Sequence, residues 1–279
     1  MIKKLFYAIS VVAVILMFSA CSESISPDNN RPGKLVIKIT DAPFPIDLID
    51  SAGVTITKIE IRKAGDGMSD GNPFVVVSEN TMSFNLVELR NGVFESLPEI
   101  EIPQGNYDLI RLYVDEASLK IKDGDLYTVK VPSGKQTGIK IFIHPELSIA
   151  GGLTTELLLD FDLSRSFVIQ GNPMTPAGIK GFLFKPVIRA VNMSTAGRIE
   201  GMVTDTSKVK IKEPTVWIKQ DTVVATVIGD TLGHYVLPGV PSGTYSIFAT
   251  KENYDTVSYD GLKVTAGNKT IQNFELIKD

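Results

Sequence analysis

Residues 54–61 read Val-Thr-Ile-Thr-Lys-Ile-Glu-Ile, an alternation of apolar and polar side chains that decides the fold class. In an extended chain successive side chains point to opposite faces, so Val54 and Ile56 share one face and the threonines share the other. The alternation changes phase near Lys58, which indicates a β-bulge. The stretch therefore predicts a half-buried strand with one bulge.

Comparable short runs lie on both sides of this strand. They occupy residues 35–40, 107–114, 126–131 and 138–143, with turn signals such as Asp123-Gly124 and Pro132-Ser133-Gly134 between them. No stretch keeps a 3.6-residue period for three turns, although residues 83–97 could hold one short helix or turn. Short strands broken by Gly, Pro and Asp predict an antiparallel β-sandwich or a barrel-like domain.

A second series of strands follows the polar joint Asn192-Met193-Ser194-Thr195-Ala196. Its alternating runs are 197–203, 216–218, 235–237, 245–249, 262–264 and 271–276. A segment of this length suits a small seven-stranded sandwich. The sequence therefore predicts an all-β protein of two antiparallel β domains, a larger one over residues 34–192 and a smaller one over residues 196–277.

The first 21 residues have the layout of an export signal. Lys3 and Lys4 precede an almost unbroken apolar run from Leu5 to Phe18, and two small residues then precede Cys21, the single cysteine of the chain. The segment resembles a bacterial lipoprotein signal, which implies cleavage after residue 20 and lipidation of Cys21. It departs from that pattern at Phe18, where Leu is usual. An ordinary signal peptide or a short uncleaved anchor is the alternative.

Charge and composition limit the classes of partner and the cellular location that we expect for this protein. Residues 21–33 are polar and rich in turn residues, and we interpret them as a flexible tether. Without residues 1–20 the chain holds 26 basic and 32 acidic residues, a net charge of −6. An acidic chain without a basic cluster is a poor partner for nucleic acid. We expect a protein held at the outer membrane by its lipid, on the periplasmic side or at the surface.

Four ordered motifs in the first series of strands point to a known family. They are Lys38-Ile39-Thr40-Asp41-Ala42-Pro43, Ile102-Pro103-Gln104-Gly105-Asn106-Tyr107, Leu159-Asp160-Phe161-Asp162-Leu163-Ser164-Arg165-Ser166 and Phe184-Lys185-Pro186-Val187-Ile188-Arg189. In this order they resemble a bacterial family known as domain of unknown function 4382. The resemblance implies a cell-envelope setting and supplies no activity.

The second series of strands resembles the carboxypeptidase regulatory-like module. The residues that carry the resemblance are Gly197-x-x-x-Gly201-x-Val203, Asp230-Thr231-Leu232-Gly233-His234-Tyr235 and Leu237-Pro238-Gly239-Val240-Pro241-Ser242-Gly243-Thr244-Tyr245. The resemblance implies a transthyretin-like (prealbumin-like) sandwich that serves as a structural or binding accessory. The wider fold also includes carbohydrate-binding modules, which is an analogy of fold alone.

Residues that could carry catalysis are few. The two histidines, His144 and His234, fall in different predicted domains, and the cysteine is assigned to lipidation. This leaves no grouped ligands for zinc and no evident nucleophile–base pair, so we expect no metal, no cofactor and no enzymatic activity. Tyr107 and Tyr245 each follow a Pro-x-Gly turn by two residues and are interpreted as core anchors at sheet corners.

One strand offers paired carboxylates. Glu156, Asp160 and Asp162 share strand parity and so project from one face. Paired carboxylates could serve glycoside hydrolysis or bind calcium, and a hydrolase acting through Asp160 and Asp162 is a distant alternative. The simpler interpretation is the polar face of a half-buried strand, flanked by Arg165.

Trp217 is the residue that the sequence singles out for binding. Its neighbours Val216 and Ile218 occupy inward positions, so the alternation turns the indole outward, where it could hold a sugar ring or a protein partner. Tyr254 and Tyr259 could join it, and a contact with the first domain is the alternative. We therefore predict a non-enzymatic envelope lipoprotein that binds carbohydrate; a structural or adhesive protein with protein partners is the second hypothesis.

Overall fold

Nearly all of the regular structure is β-strand in the computed structural model, which describes residues 31–42, 49–65, 73–129, 131, 134–172 and 178–279. The all-β class predicted from the alternating runs is confirmed. The predicted signal peptide and most of the predicted tether lie outside the described residues.

The first series of strands runs from residue 33 to residue 192. Its strands are β1 (Gly33–Ala42), β2 (Ile49–Lys63), β3 (Phe74–Ser78), β4 (Met82–Asn85), β5 (Glu95–Ser96), β6 (Ile100–Ile102), β7 (Gly105–Ile121), β8 (Leu126–Val129), β9 (Ile139–Ile149), β10 (Thr154–Asp162), β11 (Phe167–Gly171), β12 (Ile179–Phe184) and β13 (Ile188–Asn192). One helical turn, α1 (Leu163–Ser166), follows β10. Two 3-10 turns, Leu86–Glu88 and Met193–Thr195, lie within the described residues, and the first lies where one short helix or turn was predicted.

Eleven of these strands form one sheet in the order β3-β2-β7-β9-β13-β10-β1-β5, with β4 on β2, β6 on β1 and β8 on β7. Strands β11 and β12 form a separate hairpin. Val54 and Ile56 are 1% and 0% exposed. They belong to one hydrophobic core, to which strands from β1 through β13 contribute. The register of β2 against β7 shifts between Ile56 and Lys58, which confirms the bulge predicted near Lys58.

Two pairings in this sheet differ from the antiparallel pairing expected throughout. Strand β1 pairs with β10 in parallel, and β9 pairs with β13 in parallel. Parallel neighbours need a long crossover connection, and the chain between β1 and β10 provides one. Neighbouring runs of sequence predict hairpins, but they do not predict which strands far apart in the sequence will pair.

The second series forms two four-stranded sheets that face each other across one core. Its strands are β14 (Ala196–Asp205), β15 (Thr215–Lys219), β16 (Val223–Ile228), β17 (His234–Pro241), β18 (Gly243–Lys251), β19 (Tyr254–Val264), β20 (Lys269–Ile271) and β21 (Phe274–Leu276). One sheet has the order β16-β15-β18-β19, and the other joins β17, β14, β20 and β21. Because β20 and β21 both pair with β14, in parallel, they occupy one strand position, which gives the seven positions of the predicted sandwich.

The two domains meet along the edge of β17. The side-chain amide of Asn91 donates to the carbonyl of His234 at 3.1 Å and accepts from the backbone N–H of Val236 at 2.7 Å. Arg189 Nη1 donates to the carbonyl of Gly239 at 2.9 Å. Leu158, which is 1% exposed, lies beside Gly239. The edge strand of the second domain is thus covered by side chains of the first.

Candidate functional site

Trp217 lies on the outer face of β15. Val216 and Ile218 are both 0% exposed, and the indole projects half-buried from the opposite face, as the alternation predicted. The indole stacks on Phe248, with ring centroids 5.2 Å apart and an angle of 7° between the planes. Lys219 Nζ lies 5.6 Å from the centroid of the Phe248 ring. The outer face therefore presents an aromatic pair with a cation beside it.

Phe248 was not singled out from the sequence, although a signal for it exists. It is the direct cross-strand partner of Trp217 in the β15–β18 pair. Within β18 the buried residues are Tyr245, Ile247 and Ala249, so the same alternation that turned Trp217 outward also turns Phe248 outward. What the sequence could not give is the register that places the two rings opposite each other.

The structure does not bring Tyr254 and Tyr259 to this face. Tyr259 is 48% exposed and pairs with the core residue Ile247, whereas the partner of Phe248 is Ser258. Directly opposed residues share a face of a sheet, so Tyr259 projects from the side opposite to Trp217. Tyr254 packs half-buried against the core. We name the outer surface formed by Trp217, Phe248 and Lys219 the aromatic face.

Two tyrosines anchor corners of the sheets. The Tyr107 hydroxyl donates to the carbonyl of Pro103 at 2.7 Å, and the Tyr245 hydroxyl donates to the carbonyl of Pro241 at 2.8 Å. Both rings are buried, at 0% and 3% exposure. Burial also raises the pKa of Tyr245. Their predicted role as core anchors is confirmed, so they are not available as ligand contacts.

Asp160 and Asp162 lie in a cleft, and each is paired with an arginine. Arg189 is the cross-strand partner of Asp160, and its Nη2 lies 2.6 Å from Asp160 Oδ2. Asp162 caps α1 by accepting from the Arg165 backbone N–H at 3.0 Å, and the Arg165 Nε donates to its second oxygen at 2.5 Å. A glycosidase needs one protonated acid and one free carboxylate. In this cleft each carboxylate is instead engaged in an ion pair with a guanidinium group.

Asp41, from the Thr-Asp-Ala-Pro motif, is buried beneath the cleft. It is 6% exposed, and its Oδ1 accepts from the backbone N–H of Leu163 at 3.3 Å. Burial, and next the nearby charge of Asp160, raises the pKa of Asp41 well above its usual range. The fold therefore favours the protonated form of this carboxyl more than water does.

The histidines lie apart, as expected from their places in the sequence. His144 is exposed on β9 and stacks with Phe142, with ring centroids 6.1 Å apart. His234 opens β17, and its backbone is held by Asp230. Across the described ranges no group of three His, Cys, Asp or Glu side chains could hold a metal ion. Cys21 lies outside those ranges, and none of the helices within them is long and apolar enough to cross a membrane.

Comparison with known families follows the division between the two series of strands. Residues 32–186 match the family described as domain of unknown function DUF4382. The chain belongs to the DUF4382 family. Residues 198–277 match the carboxypeptidase regulatory-like domain, so the DUF4382 domain comes first and the regulatory-like domain second, as the resemblances implied. No curated protein matches the chain.

Solved structures share only weak similarity with this DUF4382 protein. A candidate carbohydrate-binding protein from Bacteroides uniformis has 16% identity over 30% of this chain and 42% of its own, with a TM-score of 0.27. The major pilin subunit BcpA of Bacillus cereus has 14% identity over 88% of this chain and 70% of its own, with a TM-score of 0.23. The shaft pilin SpaA of Lactobacillus rhamnosus GG has 11% identity, 89% and 98% coverage and a TM-score of 0.24. The chain thus spans less than half of the Bacteroides protein.

Proposed function

We propose that this protein is a non-catalytic binding module of the cell envelope that recognises carbohydrate through the aromatic face of its second domain. The observation that carries the proposal is the outward Trp217, stacked on Phe248. An aromatic ring that keeps one face toward solvent provides an apolar platform for the C–H face of a sugar ring. The strands beneath hold the ring in place, so little conformational entropy is lost on binding.

The same proposal includes the anchor. Lipidation at Cys21 would hold the protein at the outer membrane, with residues 21–33 as a tether between the lipid and the first strand. Several acyl chains give stable anchoring, whereas one chain gives only marginal binding. The two folded domains would then stand clear of the bilayer, on the periplasmic side or at the surface.

A glycan array of the chain from Asn30 onward, with Trp217→Ala beside it, tests the carbohydrate proposal. We expect glycan hits that disappear in the variant, because the platform is lost while Val216 and Ile218 keep the strand in place. Phe142→Ala is the matched control, since Phe142 is 57% exposed on the first domain. Hits that survive Trp217→Ala and vanish in Phe142→Ala would move the site to the first domain. A blank array for all three proteins would contradict carbohydrate binding by the aromatic face.

A protein partner is the second candidate, and one observation favours it. Phe142 and His144 form an exposed aromatic pair on β9, and Val76 is also exposed, at 45%, in the same sheet. Exposed aromatic side chains on rigid strands are the residues on which protein interfaces commonly depend. Capture of envelope proteins by the unmodified chain, lost in Phe142→Ala and kept in Trp217→Ala, would support this adhesive role.

A further inference from the structure

A cleft of about 270 Å³ opens between the two domains, beside the edge strand β16. The first domain lines it with the ends of β10 and β13 and with α1, and the second domain lines it with Val223–Thr226. Pockets for drug-sized ligands begin at about 300 Å³, so this cleft suits a smaller ligand. Neither domain alone forms it.

The charges that line the cleft cancel. Asp160 pairs with Arg189 and Asp162 pairs with Arg165, which places two negative and two positive groups around one space. An anionic ligand would face the two carboxylates, and a cationic ligand would face the two guanidinium groups. A neutral ligand meets neither repulsion, so the lining favours a neutral ligand over a charged one.

Some polar atoms in this lining have no hydrogen-bond partner among the described residues. Asp160 Oδ1 accepts no hydrogen bond from the part of the chain that the structure describes, since Arg189 contacts only Oδ2. The Nη1 and Nη2 groups of Arg165, whose side chain is 61% exposed, likewise have no partner among those residues. An acceptor and a set of donors fixed by their own ion pairs match the alternating hydrogen-bond pattern of adjacent hydroxyl groups.

Apolar side chains complete the cleft. Val223 is 49% exposed at its mouth, and Val187 and Val224 also line it. We propose that this cleft is a second binding site, distinct from the aromatic face, for a neutral polyhydroxylated ring the size of one sugar. The ring hydroxyls would contact Asp160 and Arg165, and the C–H groups would contact the valines. Free sugar and the terminal unit of a glycan present the same chemistry to such a site.

Calorimetric titration of the full chain in detergent tests this site with methyl glucoside, methyl galactoside and methyl mannoside. We expect at least one of them to bind at millimolar concentration, and we expect glucuronate and glucosamine to bind at least about tenfold more weakly. Val223→Lys should block the mouth and Arg165→Gln should remove donors, each weakening binding about tenfold or more. Val209→Lys is the matched control, because Val209 is 60% exposed in the same domain and does not line the cleft.

Three outcomes would overturn the proposal. One is the absence of binding by all three glycosides; another is tighter binding of a charged sugar; the third is binding that persists in both Val223→Lys and Arg165→Gln. Competition by glycan-array hits with a bound glycoside would assign the cleft to a glycan terminus, and binding of glycosides alone would assign it to free sugar.

The two sites fail separately. Trp217→Ala should leave glycoside binding unchanged, because the indole does not line the cleft. Array hits that depend on Trp217, together with no glycoside binding, would contradict the cleft as a binding site and support the aromatic face. Glycoside binding that depends on Arg165, together with a blank array, would support the cleft as a binding site and contradict the aromatic face.

Discussion

At the scale of single residues, the hydroxyl of Tyr245 closes a corner of the second domain through its 2.8 Å hydrogen bond to Pro241. Tyr245→Phe keeps the ring in the core and leaves that carbonyl without its donor. We expect the free energy of unfolding to fall by about 1 kcal/mol. Urea unfolding measures it, with Tyr254→Phe as control, since the Tyr254 hydroxyl has no hydrogen-bond partner among the described residues. Equal losses in both variants would contradict the corner's role.

Asp41 should make stability depend on pH. Burial, followed by the charges of Asp160 and Asp162, raises its pKa in the folded state, and the hydrogen bond from the Leu163 N–H and the charge of Arg90 oppose the rise only in part. A raised pKa means that the folded state holds the proton more tightly than the unfolded state, whose Asp has a pKa of about 3.9. The stability contribution is therefore full below that value and is lost as the pH rises through the folded pKa.

Asp41→Asn tests this sign, because the amide keeps an acceptor for the Leu163 N–H and has no proton to release. The wild-type free energy of unfolding should fall relative to that of the variant as the pH rises from about 4 to 8. Denaturant unfolding at several pH values gives the two curves. Asp125→Asn, at an exposed position, should track the wild type. Parallel curves for wild type and Asp41→Asn would refute the prediction.

The outward position of Trp217 could be predicted from its two aliphatic neighbours alone, because alternation is local. The pairing of Asp160 with Arg189 could not, because it depends on β10 meeting β13 across 29 positions of sequence. The same limit explains Tyr259. Its face depends on a register shift in the β18–β19 pair, which local sequence does not show. The orientation of a residue that depends only on local alternation was predictable, whereas a contact that depends on the pairing and register of two strands was not.

At the scale of elements, β14 is the strand on which its sheet depends, since β17, β20 and β21 all pair with it. Its glycine Gly201 lies against the chain between β20 and β21, where a Cβ would overlap the carbonyl of Gln272. The sequence motif Gly197-x-x-x-Gly201 thus reflects close backbone approach. The positions of the strands could be predicted from alternation. The division of the last predicted strand into β20 and β21 around Gln272 could not.

Gly201→Ala should therefore destabilise the second domain by about 1–3 kcal/mol, because the added methyl forces β14 and the 272 segment apart. Trp217, the single tryptophan of the chain, lies in this domain and reports its unfolding by fluorescence. Ser258→Ala is a control at an exposed position in the same domain. A Gly201→Ala midpoint equal to that of the control would show that the strands adjust without cost.

At the scale of the whole molecule, neither the order of the eleven-stranded sheet nor the contact between the domains could be predicted from sequence. Asn91 lies in a loop without periodicity, and its φ of 55° is a conformation that asparagine tolerates better than most residues. Its amide satisfies two backbone groups at the edge of β17, as a neighbouring strand would. Next to it, Gly92 lets the loop approach Val236, where a Cβ would collide. The first domain thereby protects an edge strand of the second.

This contact predicts that the domains unfold together. In the wild type, Trp217 fluorescence, which reports the second domain, and far-UV circular dichroism, which reports both, should give coincident urea transitions. Asn91→Ala leaves the His234 carbonyl and the Val236 N–H without their cross-domain partner, at a cost of about 1–3 kcal/mol. The fluorescence transition should then move to lower urea and separate from the circular dichroism transition. Asn80→Ala, at an exposed position outside the interface, should leave both unchanged. Coincident transitions in Asn91→Ala at the wild-type midpoint would mean that Arg189 and the contact between Leu158 and Gly239 hold the domains together without the asparagine.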